Sequence, residues 1–138
     1  MPSVRAYVAL GSNLGDRQAH LALAREQLGR TPGVSVRGAS SVEETEPLGG
    51  IVQPAYLNQM LALDTTLPPR ELLGACHRIE ALAGRERRAR WESRTLDLDI
   101  VRYGGLSVTE PGLTLPHPGL PHRDFWRREL EELAGLGL

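Results

Sequence analysis

Asp97 and Asp99 stand two residues apart in Arg94-Thr95-Leu96-Asp97-Leu98-Asp99-Ile100-Val101, an apolar, β-branched stretch that reads as a buried strand. Side chains at that spacing leave a strand on one face. Two like charges there repel each other, so a cation is expected between or above them. A divalent ion is the natural candidate. Two carboxylates are too few to cage it, which is how Mg2+ is held when it keeps waters and takes its other ligands from substrate phosphates. Just upstream, Arg85, Arg87, Arg88, Arg90 and Arg94 put five guanidiniums in ten residues, with Glu86, Trp91 and Glu92 among them. The planar guanidinium fork matches phosphate oxygens. Alone, such a run reads as a solvated surface loop, and alone an Asp-x-Asp reads as strand-end carboxylates reaching water. Side by side they point to a polyphosphate held between arginines and metal.

Positioning these groups takes a frame of strands and helices, and the hydrophobic pattern supplies one. Val4 to Leu10 is strand-like and runs into the turn Gly11-Ser12-Asn13-Leu14-Gly15-Asp16, with Asp16 placed to cap a helix carrying Leu21, Leu23, Ala24 and Leu28. Thr31-Pro32-Gly33 stops that helix, Val34 to Glu44 reads as a strand, and Pro47 to Pro54 brackets a loop before a strand from Tyr56 to Thr65. Pro68 and Pro69 open a second helix with Leu72, Leu73, Cys76, Ile79 and Leu82 on one face, ending near Gly84. After the arginine run comes the aspartate strand, Leu96 to Tyr103. A Pro/Gly/His-rich loop from Pro111 to Pro121 then leads to a short helix around Phe125 to Leu133. The order β-α-β-β-α-β with a tail predicts an α+β fold, a ferredoxin-like βαββαβ sandwich with an antiparallel sheet and helices on one sheet face.

Composition narrows the chemistry further. A chain of 138 residues predicts one domain over residues 1–138. All 16 basic residues are Arg, which removes mechanisms built on a phosphate-binding or Schiff-base lysine. A net charge of −1 does not advertise nucleic-acid or membrane binding. The single cysteine, Cys76, excludes an intrachain disulfide and reads as core packing. No apolar run approaches bilayer length and the N-terminus lacks a signal-peptide pattern, so a cytoplasmic protein is expected.

Four blocks, Ala9-Leu10-Gly11-Ser12-Asn13-Leu14-Gly15, Pro47-Leu48-Gly49, Tyr56-Leu57-Asn58 and Arg94-Thr95-Leu96-Asp97-Leu98-Asp99-Ile100, followed by Leu115-Pro116-His117, occur in this order. With them the chain resembles the 6-hydroxymethyl-7,8-dihydropterin pyrophosphokinases of folate biosynthesis, from about Val4 to about Phe125. The resemblance implies a monomeric enzyme that transfers a diphosphoryl group from ATP to the pterin hydroxymethyl oxygen and releases AMP, with two Mg2+ ions as cofactors. It places the metal ligands at Asp97 and Asp99, and catalytic arginines at Arg85 and Arg94. ATP contacts fall at His77, Glu80, Arg87, Arg90, Trp91, Ile100, Thr114, His117 and Arg123, with Arg85, Arg87, Arg90, Arg94 and Trp91 in a lid and His117 and Arg123 in the following loop. Pterin contacts fall at Thr45, Leu48, Tyr56, Asn58 and Phe125: aromatics to sandwich the ring, and an amide to read its polar edge. Asp99 is also a candidate acceptor for the hydroxymethyl proton.

The chain departs from the resemblance at several places. His77 stands where many relatives carry Gln, Gly112 where some carry Arg and Pro118 where some carry an aromatic, while Trp126-Arg127-Arg128-Glu129 replaces a more apolar, proline-containing continuation. An RNA-binding ferredoxin-like module accounts for the arginines alone and lacks the aromatic-rich strand that base stacking uses. Another Mg2+-dependent nucleotidyl or phosphoryl transferase is distinguished by its products: AMP, ADP or diphosphate.

Overall fold

The computed structural model describes residues 2–46, 52, 54–84 and 95–138. Among them the chain is a mixed α+β structure built on an antiparallel sheet. Its elements run β1 (Val4–Ser12), α1 (Arg17–Gly29), β2 (Val34–Ala39), β3 (Glu43–Thr45), β4 (Tyr56–Thr65), α2 (Pro69–Leu82), β5 (Asp97–Tyr103), β6 (Val108–Glu110), β7 (Leu113–Leu115) and α3 (Asp124–Gly135). The main sheet has the order β2-β4-β1-β5, every neighbouring pair antiparallel, and β3 lies along β4 beyond the end of β2.

The alternation of side chains divides the core in two. Ala6, Val8 and Leu10 of β1, Leu57, Leu61 and Leu63 of β4, and Leu98 and Ile100 of β5 face α1 and α2, meeting Leu21, Ala24, Leu28, Leu72, Cys76 and Ile79. The opposite face, with Ala9, Met60, Ala62 and Val101, is covered by α3 through Trp126, Leu130 and Leu133. The expectation that the two interleaved helices share one sheet face holds for α1 and α2, and the tail helix α3 covers the other face. That helix is also longer than the sequence pattern predicts, and its buried stripe Trp126, Glu129, Leu130, Leu133 follows helical spacing.

Local chemistry explains the boundaries. The Asp16 carboxylate accepts the Ala19 N–H at 3.0 Å and starts α1, as the sequence predicts. The strand predicted from Val34 to Glu44 is broken into β2 and β3. The register against β4 slips between Val36 and Gly38, and Ser40 then turns its hydroxyl to accept the Met60 N–H at 2.8 Å. The Pro/Gly/His-rich loop holds one short strand, β7, which pairs with β6 just ahead of the loop through the turn at Gly112, φ 75°. No described helix is long and apolar enough to cross a membrane.

Candidate active site

Asp97 and Asp99 lie on β5 on the same sheet face as Val101, the face that α3 covers further along. Two anchors on the open edge of β5 fix their height. The buried Glu80 of α2 accepts the Leu98 N–H at 2.9 Å, and the Val101 carbonyl accepts the His117 N–H at 2.9 Å. A charged residue on the buried stripe of α2 is thereby satisfied, and the backbone between the two aspartates is stapled to that helix. At the other end of the strand the buried Ser12 hydroxyl donates to the Thr95 carbonyl at 2.5 Å and lies 3.2 Å from His20 Nδ1, joining β1, α1 and the approach to β5.

His117 reaches the pair from the loop after β7. Its Nδ1 accepts the Gly119 N–H at 2.9 Å, which leaves Nε2 to carry the proton in the neutral ring, and Nε2 stands 3.7 Å from Asp99 Oδ1. The ring meets Trp126 edge-on at 4.9 Å, and the Arg123 guanidinium lies over the same indole at 4.3 Å. One buried tryptophan therefore orders both residues expected to meet phosphate. Asp97, Asp99, His77, Glu80, Ile100, Thr114 and His117 line one cleft of about 390 Å³ between α2, β5 and β7. Arg123 stands beside it through Trp126.

The expected pterin residues gather one strand away. Asn58 is buried and its Nδ2 donates to Thr45 Oγ1 at 2.5 Å, so β3 orients the amide. In register, Asn58 of β4 and Asp97 of β5 both pair with Gly11 of β1. A Cβ at Gly11 would stand 3.4 Å from Asn58 Oδ1 and 3.5 Å from Tyr56 Cδ1, so glycine keeps the floor between amide and aspartate low. Phe125, half-buried at the start of α3, packs on the cluster that contains Trp126, with the two rings 6.3 Å apart. Leu48, Arg85, Arg87, Arg90, Trp91 and Arg94, and with them the arginine lid, lie outside the described residues.

Among the described residues no group of three or more His, Cys, Asp or Glu side chains is placed to hold a metal ion. Two hard-oxygen donors on one face, with the Asp99 side chain 42% exposed, suit a cation that keeps part of its water shell. Sequence reasoning missed Gly11, Ser12 and Trp126 as parts of the site. A glycine inside a strand is a signal of close approach, whereas the serine and tryptophan act through neighbours distant in the chain.

The profile of the 7,8-dihydro-6-hydroxymethylpterin-pyrophosphokinase family matches residues 7–135. The chain is similar to the 2-amino-4-hydroxy-6-hydroxymethyldihydropteridine pyrophosphokinase of Methylorubrum extorquens, 44% identical over 130 residues, which span 94% of this chain and 82% of the relative. The protein of the same name from Bacillus subtilis is 40% identical over 129 residues, spanning 94% and 77%. The folic acid synthesis protein fol1 of Schizosaccharomyces pombe is 37% identical over 129 residues, 94% of this chain and 18% of that longer protein.

Proposed function

This chain belongs to the 7,8-dihydro-6-hydroxymethylpterin-pyrophosphokinase family and is an enzyme of folate biosynthesis, and on that footing we propose how its residues divide the work. ATP is the diphosphoryl donor, the hydroxymethyl oxygen of 6-hydroxymethyl-7,8-dihydropterin is the acceptor, and AMP leaves. The observation that carries this reading is the row Asn58, Gly11, Asp97 across three neighbouring strands. Two strand spacings put the amide and the carboxylate about 10 Å apart, room for a flat bicyclic ring whose substituent points at the aspartates.

In this reading Asn58, oriented by Thr45, pairs with the polar edge of the pterin, aided by backbone near Thr45 and Leu48. Tyr56 and Phe125 cover the faces of the ring. Asp97 and Asp99 hold Mg2+, two ions with ATP bound, whose chemistry is to neutralise charge on the transferred group and on the departing AMP. His117, with its proton on Nε2, and Arg123 donate to phosphate oxygens beside Asp99, while His77, Glu80, Ile100 and Thr114 line the nucleotide side of the cleft. Arg85, Arg87, Arg90, Arg94 and Trp91 close over the phosphates and exclude water. The reading further takes residues 1–138 as one domain, a ferredoxin-like sandwich whose β2-β4-β1-β5 order agrees with that topology, working as a cytoplasmic monomer.

The test is to incubate the protein with ATP, Mg2+ and the pterin and to separate the nucleotides. AMP formed only in the presence of the pterin, and lost in Asp97→Ala and Asp99→Ala, supports diphosphoryl transfer. ADP as the product sinks it. An Asp99 variant that keeps Mg-ATP affinity while losing rate assigns the proton-acceptor role to Asp99.

A further inference from the structure

Two helices carry a glutamate on their buried stripe. Glu80 on α2 is satisfied by the Leu98 N–H. Glu129 on α3 is 2% exposed, and neither of its carboxyl oxygens meets a hydrogen-bond donor among the described residues. Glu43 of β3 faces it, with the exposed Arg128 reaching both Glu43 oxygens at 3.4 Å. Glu132, also on α3, turns instead to the Ser41 N–H and hydroxyl, and Asn58, Met60 and Ala62 of β4 on this face are uncharged. Two carboxylates offer each other acceptors alone, so Glu129 and Glu43 satisfy one another only through a proton held between them. Burial, with the Glu43 charge added, pushes the Glu129 carboxyl up to about 9.

The position of this pair gives it a task. Glu43 is paired in register with Asn58, and Glu129 follows Phe125 by one helical turn on the same side of α3. The two carboxyls therefore sit beneath the amide and one of the aromatic rings assigned above to the pterin. The stretch around Glu129 is also where this chain leaves the family resemblance. We propose that Glu43 and Glu129 share a single proton that clamps α3 to β3 and so positions Phe125 and Asn58 for the pterin. The assignment rests on the reading of Asn58 and Phe125 given above. When the proton leaves to solvent, the buried Glu129 and half-buried Glu43 carboxylates repel, the short strand β3 draws away from α3, and the Thr45 hydroxyl that orients Asn58 moves with it, while Trp126 stays packed in the sheet cluster. The aspartates on β5 are held by Glu80 and the His117 backbone and are untouched.

The experiment measures binding of the pterin and, separately, of a non-hydrolysable ATP analogue with Mg2+, from neutral to alkaline pH, in wild type, E129Q and E43Q. Wild type is expected to lose about tenfold in pterin affinity between about pH 8 and about pH 10, the factor for one coupled proton. E129Q, whose amide donates to Glu43 at every pH, keeps its neutral-pH affinity within about twofold and shows no such fall. E43Q removes the neighbouring charge and moves the fall in affinity to a different pH. Affinity for the nucleotide analogue follows the same pH curve in all three proteins. Wild type and E129Q tracking one another across the range overturns the clamp, as does a fall that affects both ligands alike. Absence of pterin binding by wild type at neutral pH, with nucleotide still bound, refutes the site reading itself and removes the ground of the clamp.

Discussion

Gly11 shows how a residue without a side chain serves recognition. Its missing Cβ leaves open the ground between Asn58 and Asp97, and the contacts a methyl would make, 3.4 Å and 3.5 Å, are ordinary van der Waals distances. Gly11→Ala is therefore expected to fold with a stability change within about 1 kcal/mol while raising the pterin Kd roughly tenfold and leaving nucleotide affinity alone. Titration with each ligand checks this, and equal loss for both, or none, refutes the role. Cys76 makes the contrary case. Burial first, then the nearby Glu80 and Asp99 charges, push its thiol up to about 12, so it stays protonated and closed to alkylation in the native protein. Its part as core packing was legible from helical spacing. So was the shared face of Asp97 and Asp99, because a period of two needs no knowledge of neighbours. Gly11 was not, since what it leaves empty belongs to strands on either side of it.

Elements matter here through the edge of the sheet. Among the described residues β5 pairs with β1 alone, and on its other edge the Leu98 N–H finds the Glu80 carboxylate. Removing that acceptor leaves a buried donor unpaired, so Glu80→Ala is expected to destabilise the fold by about 2 to 3 kcal/mol. Because Leu98 lies between the two aspartates, Mg2+-dependent nucleotide binding should weaken with it. Glu80→Gln keeps an acceptor and should restore most of both. Thermal melts with and without Mg-ATP measure the two effects, and an alanine variant as stable as wild type refutes the staple. The staple was invisible in the sequence because nothing in helical spacing tells a buried glutamate from an exposed one. β6 and β7 were missed for a related reason. Strands of three residues are too short to show a period, and their pairing is set by the turn at Gly112. The long strands β1 and β4 and the helices α1 and α2 were readable because each repeats its pattern over two turns or more.

At the scale of the whole molecule, two carboxyls pull stability in opposite directions with pH. The Arg5 side chain, hydrogen-bonded at 2.7 Å, holds Asp64 below the usual carboxylate range. Its contribution is present above that range and fades as pH falls through it. Glu129 has the opposite sign. Folding raises its proton affinity from 4.5 to about 9, so between those values the native chain holds a proton that the unfolded chain has released. Stability therefore falls as pH rises through that window, by at most about 1.4 kcal/mol per pH unit, and levels off once both states are ionised. This window ends where the expected loss of pterin affinity begins, because stability compares folded with unfolded chain whereas affinity follows the proton in the folded chain alone. E129Q carries no such proton. Its melting temperature should exceed that of wild type by several degrees at mildly alkaline pH, with the gap opening steadily from about pH 5. Melting curves of the two proteins at a series of pH values decide the matter. Parallel curves, or a gap that narrows as pH rises, refute a proton bound at Glu129 in the native fold.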